Sequence, residues 1–386
     1  MSLRIALFTD SYLPTIDGVV NSVLATRREL EAHGHEVFVF APADPNNGHH
    51  VERGTIFLRA KEFRPYPGYR LAIFPGKEIE ALSDLDVDII HSHGIGFMGI
   101  KSLWCSWATK IPMVQTYHTR VQDAIPYYSP VNLSPRFLAR ALALYLRVFL
   151  GKCDAVIALT RAMMRELRAL APGMQRCRVI PTGVDTRRFR PDVDGRWVRD
   201  QWGVDGGKLI LHVGRIAPEK NLPVLFAAMS SVRRVYPDAK LIVAGVGPQL
   251  DECKALAARL GLADAIGFAG FVSEEDLPAY YAAADVFATA STFEVHPMVV
   301  LEALASGRPV AGANAGGIPE FVRHADNGAL FRPSDPRDAA DAMLLSLKRQ
   351  DLMREPARAT ALEYSVDRCT RRLEDVYRNL IASWNG

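Results

Sequence analysis

Short runs of aliphatic and β-branched residues alternate along the chain with longer stretches whose apolar positions return every three to four residues. The runs at 4–10, 36–42, 87–93, 112–118 and 155–160 are apolar enough to be buried on both faces, the mark of parallel strands. Helix-length segments separate them, so the rhythm predicts a doubly wound sheet with helices on both sides. It pauses at 180–191, where two prolines and a glycine predict a linker, then restarts with strands at 208–214, 239–245, 265–272, 286–290, 309–313 and 329–332. A charged amphipathic segment at 366–384 follows and predicts a last helix near the domain junction. The expected organisation is a first domain at 1–190, a second at 191–365, and a terminal helix at 366–386 packing back near the first. Doubly wound sheets bind ligands beyond the carboxyl ends of their strands, so useful residues are expected just after strands, in a cleft between the two sheets.

Composition supports this plan and removes some functions. A chain of 386 residues exceeds a typical single core, and 49% apolar with 23% charged residues is globular usage. The net charge of +3 supplies no field to recruit nucleic acid. Five scattered cysteines, none in C-x-x-C, argue against a disulfide framework or zinc site and for a reducing, cytoplasmic setting. The first apolar run is too short for a signal peptide, and Arg140 and Arg147 interrupt the longest apolar stretch, at 137–150. Contact with the cytoplasmic face of a membrane, without crossing it, is the expectation.

Candidate chemistry lies at the strand ends. Glu294 and Glu302 flank the start of a helix expected at 297–306, with Pro297 suited to its first position. The amides of Met298, Val299 and Val300 are then expected to face a phosphate at the positive end of the helix dipole. At ~1.5 Å per residue the two carboxylates can bracket a diphosphate and its sugar hydroxyls, although the spacing fits two unrelated surface glutamates equally well. In the turn after 208–214, Arg215 and Lys220 are placed to neutralise a departing diphosphate, unless they are solvated surface cations. Gly245-Val-Gly247 opens a further turn, but Leu250 replaces the last glycine of a dinucleotide fingerprint. Gly18 lies near the start of the first helix, where backbone can approach a ligand, and His118 ends a strand, where it can bond a sugar hydroxyl or act as acid or base. Asp84, Asp86 and Asp88 form a D-x-D pattern of the metal-dependent kind, but they precede a strand and so lie at the opposite end.

Taken in order, these elements resemble the retaining glycosyltransferases of family 4, which have the GT-B fold, and the resemblance covers nearly the whole chain. It implies that Arg215 and Lys220 bind the donor diphosphate, Glu302 the ribose, Glu294 the transferred sugar, backbone at Val272 the nucleobase, and His118 the hexose, with Gly18 closing on the phosphates. It also implies no metal and no cofactor beyond the nucleotide-sugar, and transfer with retention from a UDP- or GDP-hexose. Pro297 and Asp17 stand where many members have glycine.

The segment 124–153 has no acidic residue but carries Arg136, Arg140, Arg147 and Lys152 among large apolar residues, beside Tyr127 and Tyr128. Such a basic amphipathic helix suits docking on anionic lipid and, with a look close to glycerolipid glucosyl- and mannosyltransferases, favours a lipid acceptor. A plain domain helix, a soluble sugar or glycan acceptor, a sugar-nucleotide epimerase and a non-catalytic nucleotide-sugar sensor remain the alternatives. Oligomeric state is not legible.

Overall fold

A computed structural model describes residues 2–15, 17–43, 54–63, 70–73, 76–118 and 135–384. The chain divides into two units, one made of Met1–Thr182 with Val366–Gly386, the other of Gly183–Ser365.

The first unit contains β1 (Arg4–Phe8), β2 (Glu36–Pro42), β3 (Thr55–Leu58), the two-residue strands β4 (Lys61–Glu62) and β5 (Arg70–Leu71), β6 (Ile89–Ser92), β7 (Met113–Tyr117), β8 (Ala155–Ala158) and β9 (Cys177–Val179). All but β4 and β5 form one sheet in the order β3-β2-β1-β6-β7-β8-β9, and its pairings are parallel. The second unit contains β10 (Leu209–Val213), β11 (Lys240–Ala244), β12 (Ile266–Gly270), β13 (Val286–Thr289), β14 (Val310–Ala313) and β15 (Gly328–Phe331). They too pair in parallel, in the order β12-β11-β10-β13-β14-β15. The two doubly wound α/β sheets match the expectation from hydrophobic rhythm. The ladders stop short of the expected carboxyl ends, so Asp10, His93, His118 and Gly214 stand in the loops beyond.

Each sheet is buried because its strands are apolar on both faces. In the first unit Ile5, Leu7, Val39, Ile89 and Val114 form a core with Val23 and Leu30 of the helix Gly18–Ala32. The last helix, Val366–Ser383, adds Cys369, Leu373, Tyr377 and Leu380 to this same core. Full burial of one such large apolar side chain contributes about 1.5–3 kcal/mol. Polar contacts fix the helix in register: the two ring nitrogens of His33 lie 2.5 Å from Glu374 Oε1 and 3.1 Å from Asp367 Oδ1.

The units part between Thr182 and Gly183, ahead of the 190/191 boundary read from the prolines. Packing explains the shift. Phe189 belongs to the second core, and Arg358 donates to the carbonyls of Thr186 and Phe189 at 2.9 and 2.8 Å, so most of the expected linker is tied to the second unit. Two of the D-x-D aspartates have structural partners: Asp88 Oδ2 accepts from the Arg4 amide at 2.7 Å and Asp86 Oδ2 lies 3.2 Å from the Arg4 guanidinium, at the amino end of β1. All five cysteines are free and buried. Among the described residues no helix is long and apolar enough to cross a membrane.

Candidate active site

In the second sheet, β11 and β12 lie on one side of β10 and β13 to β15 on the other. The winding therefore reverses between β10 and β13, the position at which an open α/β sheet leaves room for a ligand. Lys220 follows β10 and Glu294 follows β13. Their side chains meet there, with Lys220 Nζ 2.5 Å from Glu294 Oε1 and both largely shielded from solvent.

Backbone contacts among four loops hold this pair. Ser291 Oγ and the Thr292 amide donate to the Glu219 carbonyl at 3.2 and 3.3 Å, lacing the turn after β10 to the loop after β13. The Ile216 amide donates to the Val246 carbonyl at 2.9 Å, joining the same turn to the loop after β11. Here side chains are excluded. Gly245 has φ +150°, and a Cβ on it would stand 1.9 Å from the Gly214 carbonyl oxygen; one on Gly247 would stand 2.2 Å from that of Ile216. The two glycines are thus required by loop-to-loop contact within the chain. From β14, the Gly317 amide donates to the Glu294 carbonyl at 2.7 Å, and a Cβ on Gly316 would come within 2.4 Å of the same oxygen.

The helix after Glu294 corrects one expectation. It runs Met298–Ala305, with Pro297 outside it as N-cap at ψ 87°. With Pro297 out of helical conformation, nearby carbonyls close the first turn. Met298 N donates to His296 O at 3.0 Å and Val300 N to Pro297 O at 3.1 Å, so of the three amides expected to face phosphate only that of Val299 is left without a backbone acceptor among the described residues. Arg215 is exposed, and its Nε lies 3.9 Å from Glu219 Oε1, a contact too long and too solvated to hold it. Glu302, one helical turn in, accepts a 2.8 Å hydrogen bond from the Tyr281 hydroxyl. It is half-buried, and burial pushes its carboxyl pKa up to about 7 against the opposing hydrogen bond from Tyr281. Val272, after β12, packs half-buried against the second core beside an exposed Phe271.

Gly18 and His118 belong to the first unit. Gly18 begins its helix, and the preceding Asp17 caps it, accepting from Val19 N and Val20 N at 2.8 Å each. Among the described residues a Cβ on Gly18 meets nothing within 4 Å, so no contact there requires glycine. Asp10, just past β1, accepts from Gly96 N and Met98 N at 2.7 and 2.9 Å and caps the helix Phe97–Thr109; its burial raises the pKa above the ordinary aspartate value.

His118 Nε2 lies 2.8 Å from His93 Nδ1. The other nitrogen of His93, Nε2, is buried with no hydrogen-bond partner among the described residues. Burial, with His91 and His118 nearby, holds the His93 pKa well below its ordinary value, keeping that ring neutral.

Of the basic candidates, Arg140, Arg147 and Lys152 are exposed on the helix Pro135–Lys152; the Arg136 side chain, Tyr127 and Tyr128 lie outside the described residues. The structure thus joins Lys220 to Glu294 directly and ties the Arg215 turn to both neighbouring loops, while Glu302 is held separately by Tyr281. Sequence reasoning missed Tyr281, which carried no local signal, and His93, whose spacing from His91 at a strand end was a usable one.

Two parallel-sheet Rossmann-like domains are the architecture of the GT-B fold. HepE from Anabaena, solved in complex with UDP, superposes on 98% of this chain and 100% of its own with TM-score 0.77 at 21% identity. Family models agree: "Glycosyltransferase Family 4" matches residues 16–188 and "Glycosyl transferases group 1" residues 198–362. The chain is 32% identical to alpha-monoglucosyldiacylglycerol synthase of Streptococcus pneumoniae, over 99% of this chain and 87% of that protein. It is 34% identical to the GDP-mannose-dependent alpha-(1-6)-phosphatidylinositol monomannoside mannosyltransferase of Mycolicibacterium smegmatis, over 92% and 91%. The chain belongs to glycosyltransferase family 4.

Proposed function

We propose that the protein transfers a hexose from a UDP- or GDP-hexose to a hydroxyl of a membrane glycerolipid, with retention at the anomeric carbon and no metal ion. The observation that carries this reading is the Lys220–Glu294 pair at the β10/β13 switch point: a cation for the phosphates beside a carboxylate for sugar hydroxyls. Lys220, Arg215 and the Val299 amide stabilise the diphosphate as the bond from the anomeric carbon to the phosphate oxygen breaks and its electron pair leaves with the phosphate. The acceptor oxygen bonds that carbon from the same face, and its proton passes to the departing phosphate oxygen. Glu294 orients the hexose, Glu302 the ribose, backbone at Val272 the base, and His118 faces the hexose. The glycerolipid acceptor is supported by the two named relatives, whose names refer to a diacylglycerol and a phosphatidylinositol product or substrate.

The decisive experiment supplies UDP-glucose, UDP-galactose and GDP-mannose in turn, with diacylglycerol vesicles or soluble sugars, and measures released nucleoside diphosphate and the anomeric configuration of the product. Transfer to soluble sugars but never to diacylglycerol would remove the lipid acceptor. Conversion of the donor with no acceptor present would point to epimerisation.

A pH dependence follows from Glu302. A carboxylate accepts ribose hydroxyls better than a carboxylic acid does, and with a pKa of about 7 the carboxylate is populated above that pH and lost below it. Donor KM is expected to rise as pH falls through about 7, and Glu302→Gln to flatten that profile at a weaker donor affinity. Equal pH profiles in the two proteins would exclude Glu302 from ribose binding.

A further inference from the structure

In the first unit β6 and β7 pair in parallel, with His91 beside Val114 and Ser92 beside Gln115. Alternate residues of a strand share a face, so one side of this pair carries His91 and His93 from β6 and its end, and Thr116 and His118 from β7 and its end. Polar contacts repeat along that side. His91 Nε2 lies 2.7 Å from Thr116 Oγ1, and two residues on in both segments His93 Nδ1 lies 2.8 Å from His118 Nε2. The rings follow one another: the centroids of His91 and His93 are 4.2 Å apart, and those of His93 and His118 5.1 Å.

The row is anchored at its inner end. His91 Nδ1 lies 2.6 Å from the hydroxyl of the buried Tyr377, so both nitrogens of His91 are held. His93 is buried as well, and its amide donates to the Phe8 carbonyl at 2.7 Å, which fixes the backbone beneath its ring. His118, by contrast, is half-buried and stands just past the end of β7. Burial thus falls from Tyr377 through His91 and His93 to the ring that opens outward.

We propose that His93 is a positioning residue for sugar transfer: its ring holds His118 in the orientation in which His118 meets the transferred hexose. The inference rests on the reading that His118 faces the hexose and deepens it by naming what sets that ring. A side chain at a strand end turns about two torsions, and a hydrogen bond from a buried, packed neighbour selects one setting of them. The contact also couples proton placement. A neutral imidazole has one donor and one acceptor nitrogen, so whichever ring donates, the shared proton decides whether His118 Nδ1 donates or accepts. Burial keeps His93 neutral, so the contact is an N–H···N hydrogen bond and not the meeting of two imidazolium ions.

Two substitutions separate positioning from filling space. Asparagine carries its amide where histidine carries Nδ1, and glutamine carries it where histidine carries Nε2. His93→Asn is expected to keep kcat within about threefold of wild type, whereas His93→Gln and His93→Leu lower it about 10- to 100-fold, the size of effect that a small misplacement of reacting groups produces. In a His118→Ala background His93→Leu should bring no further loss, because no ring is left to orient; a purely structural role would add its loss in full. Rates are read on the full chain as nucleoside diphosphate released from UDP-glucose and from GDP-mannose with diacylglycerol vesicles, and melting temperatures show that each variant folds. If His93→Leu is too unstable to assay, the contrast between asparagine and glutamine decides. Without any substrate, nuclear magnetic resonance of isotope-labelled histidines should show a scalar coupling between His93 Nδ1 and His118 Nε2 that His93→Gln abolishes. Equal kcat in His93→Asn and His93→Gln, additive losses in the double variant, or absence of the coupling overturns the proposal. Turnover of His118→Ala equal to wild type sinks instead the reading that His118 meets the hexose, with the coupling still present in the wild-type protein.

Discussion

Lys220→Ala is expected to lower kcat by about 10²- to 10³-fold, the range seen when one preorganised donor to a developing anion is removed. The acceptor KM should change little, since Lys220 acts on the leaving diphosphate. Its ammonium lies 2.5 Å from Glu294 at the point where the sheet reverses, and the loops after β10, β11 and β13 hold the turn that carries it. Removing it also leaves Glu294 without its cation, so part of the loss will reflect that carboxylate. The double variant Lys220→Ala/Glu294→Gln separates the two effects: groups acting as a unit are non-additive, and its turnover should fall little below that of Lys220→Ala. Initial rates with donor and acceptor varied independently provide the readout. Turnover near wild type in Lys220→Ala would remove the leaving-group role.

The second large effect is on folding. Gly245→Ala is expected to destabilise the second unit by about 3 kcal/mol or more, since it combines a strained backbone conformation with a steric overlap. The added methyl would stand 1.9 Å from the Gly214 carbonyl oxygen, at a φ of +150° that side-chain-bearing residues rarely adopt. To relieve it the loops after β10 and β11 must separate, breaking the contact between Ile216 and Val246 and moving the Lys220 turn. Gly18→Ala is the control: the space around Gly18 is open among the described residues, and its stability should stay within about 0.5 kcal/mol of wild type. Thermal melting of both variants checks the contrast, and equal melting points would show that the loops separate without cost.

The strands with continuous apolar runs were legible because burial on both faces leaves a dense signal over a few residues. β3 and β9 were not. They are edge strands of four and three residues, and lateral pairing rather than a local pattern makes them strands. The domain boundary slipped for a similar reason: proline and glycine mark where helix and strand stop, whereas Arg358, far along the chain, decides which unit holds residues 186–189. At the site, the order of charged residues after strands was readable, and so was the neighbourhood of Lys220 and Glu294 once β10 and β13 were adjacent. The state of individual amides was not. A one-residue shift in the start of the helix Met298–Ala305 determined that Met298 and Val300 donate to the chain itself.

The first unit receives Cys369, Leu373, Tyr377 and Leu380 from an 18-residue helix that follows the entire second unit in the chain. A ribosome therefore releases the first sheet long before the residues that complete its packing exist. During synthesis the second unit can finish from contiguous sequence while the earlier one waits, its apolar flank open and His91 without the 2.6 Å contact to the Tyr377 hydroxyl. Birth order and completion order are reversed.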